Sequence, residues 1–190
     1  RVTHYLLNAF AETRAAKSGG TSDPLFESTT LVGAIKAANT AIHEASMNRP
    51  EQAGMGTTIV AVVFHDSTLT VAHVGDSRLY CYRRGVLSQV TEDHSMVQEL
   101  LRRGLMTPDE ARTSLNRNLV TRALGIDPLV EVDVREQPFE AGDIYLLCSD
   151  GLNDVLLDEE IATILAQHPD SLESAAQQMI TEVNARGGPD

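Results

Sequence analysis

The sequence predicts an α+β fold, an antiparallel sheet covered by helices. Three observations predict it. Apolar residues alternate over Thr57–Phe64, Thr68–Val74 and Leu79–Tyr82, runs rich in Val, Ile, Thr and Tyr and so suited to half-buried strands. Before them, from Thr30 onward, Leu31, Ile35, Ala38, Ile42 and Ala45 recur three or four residues apart, the period of one helix face. After them, two helical patterns with acidic or capped starts close the chain.

In chain order, residues 17–28, KSGGTSDPLFES, read as a loop from their Gly, Ser, Thr and Pro. The helix that follows ends before Pro50. The three strand patterns are broken at His65-Asp66-Ser67 and Arg83-Arg84-Gly85, as in a meander of antiparallel strands. Met96–Arg103 reads as a helix stopped by Gly104, and Thr107-Pro108-Asp109-Glu110 offers an N-cap, a first-turn Pro and a capping-box Glu for another. Val130–Val134 and Ile144–Cys148 are further strands, the second so continuously apolar that a central place in its sheet is expected. Asp158-Glu159-Glu160 opens one closing helix, and Asp170 to Glu173 forms a capping box for the last, which Gly187-Gly188 terminates.

Length and charge narrow the function. With 190 residues, 42% hydrophobic and 22% charged, the chain fits one ordinary globular domain. Its longest apolar run, Ile59–Phe64, falls far short of the roughly 20 residues that span a bilayer. A net charge of -12 argues against nucleic acid, whose phosphates call for clustered Lys and Arg. Cys81 and Cys148, both inside strand patterns, suit buried free thiols in a reducing compartment, and the cytoplasm is the expected location.

Three carboxylates stand at strand ends. Asp76 lies in HVGDSRLY, residues 73–80, Asp150 in Ser149-Asp150-Gly151 after an apolar strand, and Asp190 after Gly187-Gly188-Pro189. Each alone is accounted for as a turn former or cap. If they converge, their mutual repulsion calls for a cation. No Cys or His accompanies them, so the donors are all oxygen and favour hard ions such as Mg²⁺ or Mn²⁺. Such ions activate water and clamp phosphoryl groups, which points to phosphate hydrolysis.

In order, Gly56-Thr57-Thr58, His73-Val74-Gly75-Asp76-Ser77-Arg78-Leu79-Tyr80, Thr91-Glu92-Asp93-His94-Ser95, Arg117-Asn118 with Thr121-Arg122-Ala123-Leu124-Gly125, Asp143–Leu152 and Gly187-Gly188-Pro189-Asp190 resemble the metal-dependent Ser/Thr protein phosphatases of the protein phosphatase 2C type, in their bacterial form. The resemblance runs from about residue 54 to the end. It implies an antiparallel β-sandwich flanked by helices, in α-β-β-α layers, with a dinuclear Mn²⁺ or Mg²⁺ centre. It implies that Asp150 and Asp190 are ligands of that centre, and that Asp76 with Asp150 holds a third, weaker ion. Residues 91–117 match the family's flap.

Arg78 is expected to pair with nearby acids, and His94 to cap or pack. The family's opening Asn-Glu-Asp and Asp-Gly-x-Gly-Gly segments have no match here, nor has the apolar strand that follows the last motif. The first strands and the last strand of the fold are therefore expected to lie outside these residues. The implied activity is hydrolysis of phosphoserine and phosphothreonine on proteins by a metal-activated water, opposite a cognate Ser/Thr kinase. Two rivals stand beside it: a non-catalytic phosphoprotein-binding or regulatory module that keeps the fold, and a phosphohydrolase of small molecules.

Overall fold

The computed structural model describes residues 24–188. They form two compact units, one of residues 24–75 and 94–139, the other of 76–93 and 140–188. Each contains one three-stranded antiparallel sheet.

In the first unit, helix α1 (Pro24–Asn48) precedes β1 (Ile59–His65) and β2 (Thr68–Val74). The helix takes up positions 24–28 of the expected loop, and the rest of that loop lies outside the described residues. Strands β1 and β2 form a hairpin, His65 opposite Thr68, turned by Asp66 at φ 48°. Strand β5 (Asp133–Pro138) lies on the other side of β2, with His73 opposite Asp133 and Thr68 opposite Pro138.

The apolar face read from the sequence does form the core. Leu31, Ile35 and Ala38 are buried, and Leu31 and Ile35 pack with Ile59, Ala72, Val74 and Leu124. Full burial of a Leu or Ile is worth about 1.5–3 kcal/mol. Buried Asn39 adds a polar tie: its Oδ1 accepts from Gly125 N–H at 2.8 Å and its Nδ2 donates to Asp127 O at 3.0 Å. Strand β5 begins three residues later than the hydropathy of Val130–Val134 predicts. Val130 and Val132 pack on the core without joining the ladder, because pairing with β2, not side-chain polarity, sets where the strand runs.

Between His94 and β5 come two short helices, α2 (Met96–Arg102) and α3 (Pro108–Thr113). Ser95 caps α2 by accepting from Gln98 N–H, and Thr107 and Glu110 form the predicted capping box of α3. The base of this excursion is closed by the Ser95–Val120 bridge, with Met96 N–H donating to Leu119 O at 3.0 Å and Thr121 N–H to His94 O at 2.8 Å.

In the second unit, β3 (Arg78–Arg83) lies between β4 (Val86–Gln89) and β6 (Ile144–Cys148). Arg84 at φ 52° and Gly85 at φ 86° make a two-residue hairpin between β3 and β4, the left-handed pair that matches strand twist. Strand β4 has no counterpart in the sequence reading, since VLSQ is short and half polar. The meander is corrected: β2 and β3 lie in different sheets, so residues 75–77 do not turn a hairpin. Strand β6 pairs with β3 alone among the described residues, an edge where a central place was expected. Its Ile144 and Leu146 nevertheless pack into the core of this unit.

That core is built by α4 (Asp150–Asn153), α5 (Asp158–Gln167) and α6 (Leu172–Ala185). Leu156, Ile161, Ile164, Leu165, Ala175 and Met179 form its buried centre. The last helix is capped by Ser171, which accepts from Ser174 N–H, one residue beyond the predicted Asp170. Gly187 at φ 73° ends it as expected.

Arg83 anchors the turn before β6. Its Nε and Nη2 donate to Asp143 Oδ1 and Oδ2 at 2.7 and 2.6 Å, and this holds the Asp143 carboxyl down to about 2. The unfolded carboxyl titrates at about 3.9. The pair therefore stabilises the fold fully above about pH 4, and the contribution is lost as pH falls toward 2. Asp143→Asn is expected to lower the melting temperature near neutrality and to flatten its dependence on pH between about 4 and 2, as followed by circular dichroism.

Candidate functional site

The corner at HVGDSRLY is built on a backbone that glycine alone adopts easily. Gly75 has φ 108°, and a Cβ placed there would lie 2.3 Å from Thr58 Cγ2 and 2.5 Å from Thr58 Cβ. Thr58 belongs to the Gly56-Thr57-Thr58 segment, whose Thr57 exchanges both backbone hydrogen bonds with Leu124, at 3.1 and 2.8 Å. Two segments singled out in the sequence thus meet behind Gly75.

Asp76 follows immediately and is half-buried. Its carboxyl is raised above the ordinary range, first by burial and further by the charges of Asp150 and Asp93, against its own backbone hydrogen bond and Arg78, which lower it. Asp150, at the start of α4, accepts from Gly151 N–H at 2.9 Å through Oδ1. The structure thus brings Asp76 and Asp150 within electrostatic reach of each other. Asp190 lies outside the described residues.

Arg78 lowers the pKa of Asp76 only weakly, because its hydrogen bonds go elsewhere. Its Nε donates to Asp93 Oδ1 at 2.9 Å and its Nη2 to Asp93 Oδ2 at 2.6 Å, while Nη1 donates to Tyr80 Oη at 2.8 Å. Burial works against the guanidinium charge, but Asp93 more than restores it. Arg78 is the partner of a nearby acid that the sequence suggested. Two half-buried carboxylates with residual repulsion and only oxygen donors suit a hard divalent cation.

A second cluster escaped sequence reading. His73, His94 and Asp133 offer ligand atoms within 4.8 Å of one another. Its cation is already supplied: Arg122 Nη1 donates to Asp133 Oδ1 at 2.5 Å and lies 3.1 Å from His94 Nε2. His94 Nδ1 accepts from Gly75 N–H at 3.0 Å, so that nitrogen is not open to a metal. His94 packs, as expected, and burial lowers its pKa despite Asp133. Only the β2–β5 register, which sets His73 opposite Asp133, could have revealed the cluster.

Residues 6–190 match the family model described as "Protein phosphatase 2C". The chain belongs to the protein phosphatase 2C family. Its relatives include the serine/threonine phosphatase stp of Listeria monocytogenes, 44% identical over 137 residues, which are 72% of this chain and 54% of that protein. Serine/threonine protein phosphatase PstP of Mycobacterium tuberculosis is 42% identical over 160 residues, 84% of this chain and 30% of that protein. The chain spans about half the length, or less, of these curated relatives.

Among solved structures, the M. tuberculosis PstP/Ppp phosphatase superposes with a TM-score of 0.85 at 37% identity, covering 100% of this chain and 77% of that one. The catalytic domain of PstP in complex with two manganese ions gives 0.81 at 36%, covering 100% and 76%. The α+β fold with antiparallel sheets and helices is that of these phosphatases.

Gly75→Ala is expected to cost roughly 2–4 kcal/mol of stability from the clash and the positive φ together. Adding Thr58→Ser should recover only part of it, because Thr58 Cβ stays 2.5 Å from the new methyl. Denaturant unfolding of the two variants measures both.

Proposed function

We propose that the protein is a metal-dependent protein serine/threonine phosphatase, hydrolysing phosphoserine and phosphothreonine on proteins without a covalent enzyme intermediate. One observation carries the reading: in a chain of the protein phosphatase 2C family, Asp76 and Asp150 stand close enough to raise the carboxyl of Asp76. Asp76, Asp150 and Asp190 are the residues we assign to divalent ions, Mn²⁺ or Mg²⁺, two with a third and weaker one. When bound, such ions lower the pKa of water and neutralise charge on a phosphoryl group.

The chain's own contribution is to orient carboxylates. Gly75 shapes the backbone before Asp76, Asp150 opens α4, and Asp93 takes the hydrogen bonds of Arg78. The manganese bound by the PstP catalytic domain supports the choice of metal. The relatives described above are named phosphatases, and nothing favours the non-catalytic module. Residues 1–190 are one phosphatase domain in this reading, since the family match runs through both units, and 91–117 are its flap. A cognate Ser/Thr kinase supplies its substrates. No helix among the described residues is long and apolar enough to cross a membrane, and free Cys81 and Cys148 support the cytoplasm.

The complete protein is expected to hydrolyse a phosphoserine or phosphothreonine peptide only with Mn²⁺ or Mg²⁺ present, to lose activity in a chelator and to regain it on adding metal. Asp150→Ala should reduce the rate by more than about a hundredfold, since even outer partners of metal ligands cost 10–100-fold. Undiminished activity in that variant would refute the ligand assignment. Faster turnover of small phosphate esters than of phosphopeptides would point to the small-molecule reading.

A further inference from the structure

One residue grips the peptide that carries Asp76. His94 N–H donates to Gly75 O at 3.0 Å, and Gly75 N–H donates to His94 Nδ1 at 3.0 Å. A backbone amide can only donate, so Nδ1 holds a lone pair. Nε2 faces both Asp133 Oδ2 at 3.3 Å and Arg122 Nη1 at 3.1 Å, and Arg122 also takes the other oxygen of Asp133. His73 stacks on the ring, centroids 4.6 Å apart and planes 18° from parallel. The imidazole is thus held in place and tilt, with its Nδ1 lone pair on Gly75 N–H. The Gly75 carbonyl belongs to the same peptide unit as the Asp76 amide, so both sides of the glycine that precedes Asp76 are held by His94.

We propose that His94 is a positioning residue of the metal site, its ring nitrogen and backbone amide fixing the Gly75–Asp76 peptide on which Asp76, a residue that would hold the divalent ion, is carried. The inference rests on the reading of Asp76 as a metal ligand. Glycine samples positive and negative φ with little penalty, so packing on Thr58 confines this peptide and the two hydrogen bonds with His94 set its orientation. His94 also forms part of the neck of the 96–120 excursion, through Thr121 N–H to His94 O, and so ties that segment to the same glycine.

The test is Mn²⁺ binding to the complete protein, read from the electron paramagnetic resonance of the free ion, with circular dichroism confirming the fold. His94→Asn keeps an acceptor oxygen near the place of Nδ1, whereas His94→Gln puts its amide near Nε2 and leaves Gly75 N–H without an acceptor. His94→Gln is expected to weaken the weakest class of Mn²⁺ site about tenfold, the scale set by one lost buried hydrogen bond. His94→Asn should stay within about twofold of the wild type on that scale. Raising Mn²⁺ should restore kcat in His94→Gln while KM for the phosphopeptide is unchanged, a pattern that general loss of stability does not give.

Equal Mn²⁺ affinity in the wild type and both variants overturns the proposal, as does equal weakening in both variants. Should His94→Gln fail to fold, hydrogen exchange decides: Gly75 N–H is expected to be protected in the wild type and in His94→Asn, and rapid exchange in the wild type overturns it. Asp76→Asn separates the two readings. If it weakens Mn²⁺ and the His94 variants do not, only the positioning role falls; if it leaves Mn²⁺ unchanged, the ligand reading falls and takes this inference with it.

Discussion

At Gly75 the chain leaves one sheet and starts toward another with φ at 108°, and Thr58 fills the space that any side chain would need. That close approach confines the backbone that precedes Asp76. It also explains why the surrounding segments gather here. Thr58 is held because Thr57 pairs with Leu124, Leu124 is buried in the core beneath α1, and Gly125 is tied to Asn39 of that helix. An exposed loop would present a carboxylate through a range of angles. Here the backbone before it is enclosed by packing, and side-chain freedom is what remains.

The two charged clusters near this corner divide the work by sign. Arg78 and Asp93 neutralise each other, as do Arg122 and Asp133. Asp76 is the exception, raised by burial and by Asp150. With the arginines paired to other acids, burial and the charge of Asp150 together oppose ionisation of Asp76. Such a setting suits a small, doubly charged ion better than a side-chain cation, which carries one charge.

Much of the fold was legible because hydrophobic periodicity is local. Strands β2 and β6 carry the boundaries that their alternation or continuity gives, and α3 carries the cap that Thr107 and Glu110 encode. What failed depends on partners distant in sequence. Strand β5 starts at Asp133 because β2 sets its register; Val130 and Val132 are apolar for the core rather than for the ladder. The passage between sheets at 75–77 looks, in sequence, the same as a hairpin turn. Asp76 and Asp150 stood out through motif order. The hydrogen bond from Gly75 to His94 did not, since nothing in either residue's neighbours foretells it.

The two units are interleaved along the chain, each assembled from two separated stretches. Strand β2 meets β5 only after the intervening residues have been made, and β3 meets β6 later still. On the ribosome, α1 and the β1–β2 hairpin emerge before β5 and β6, and among the described residues neither sheet gains its third strand until synthesis is past residue 130. The loop-closure entropy of these long-range pairings must be met before their contacts reward it. Maturation of this chain is thereby a late event in translation, and a ribosome stalled midway would hold two incomplete sheets with pairing edges open to other chains.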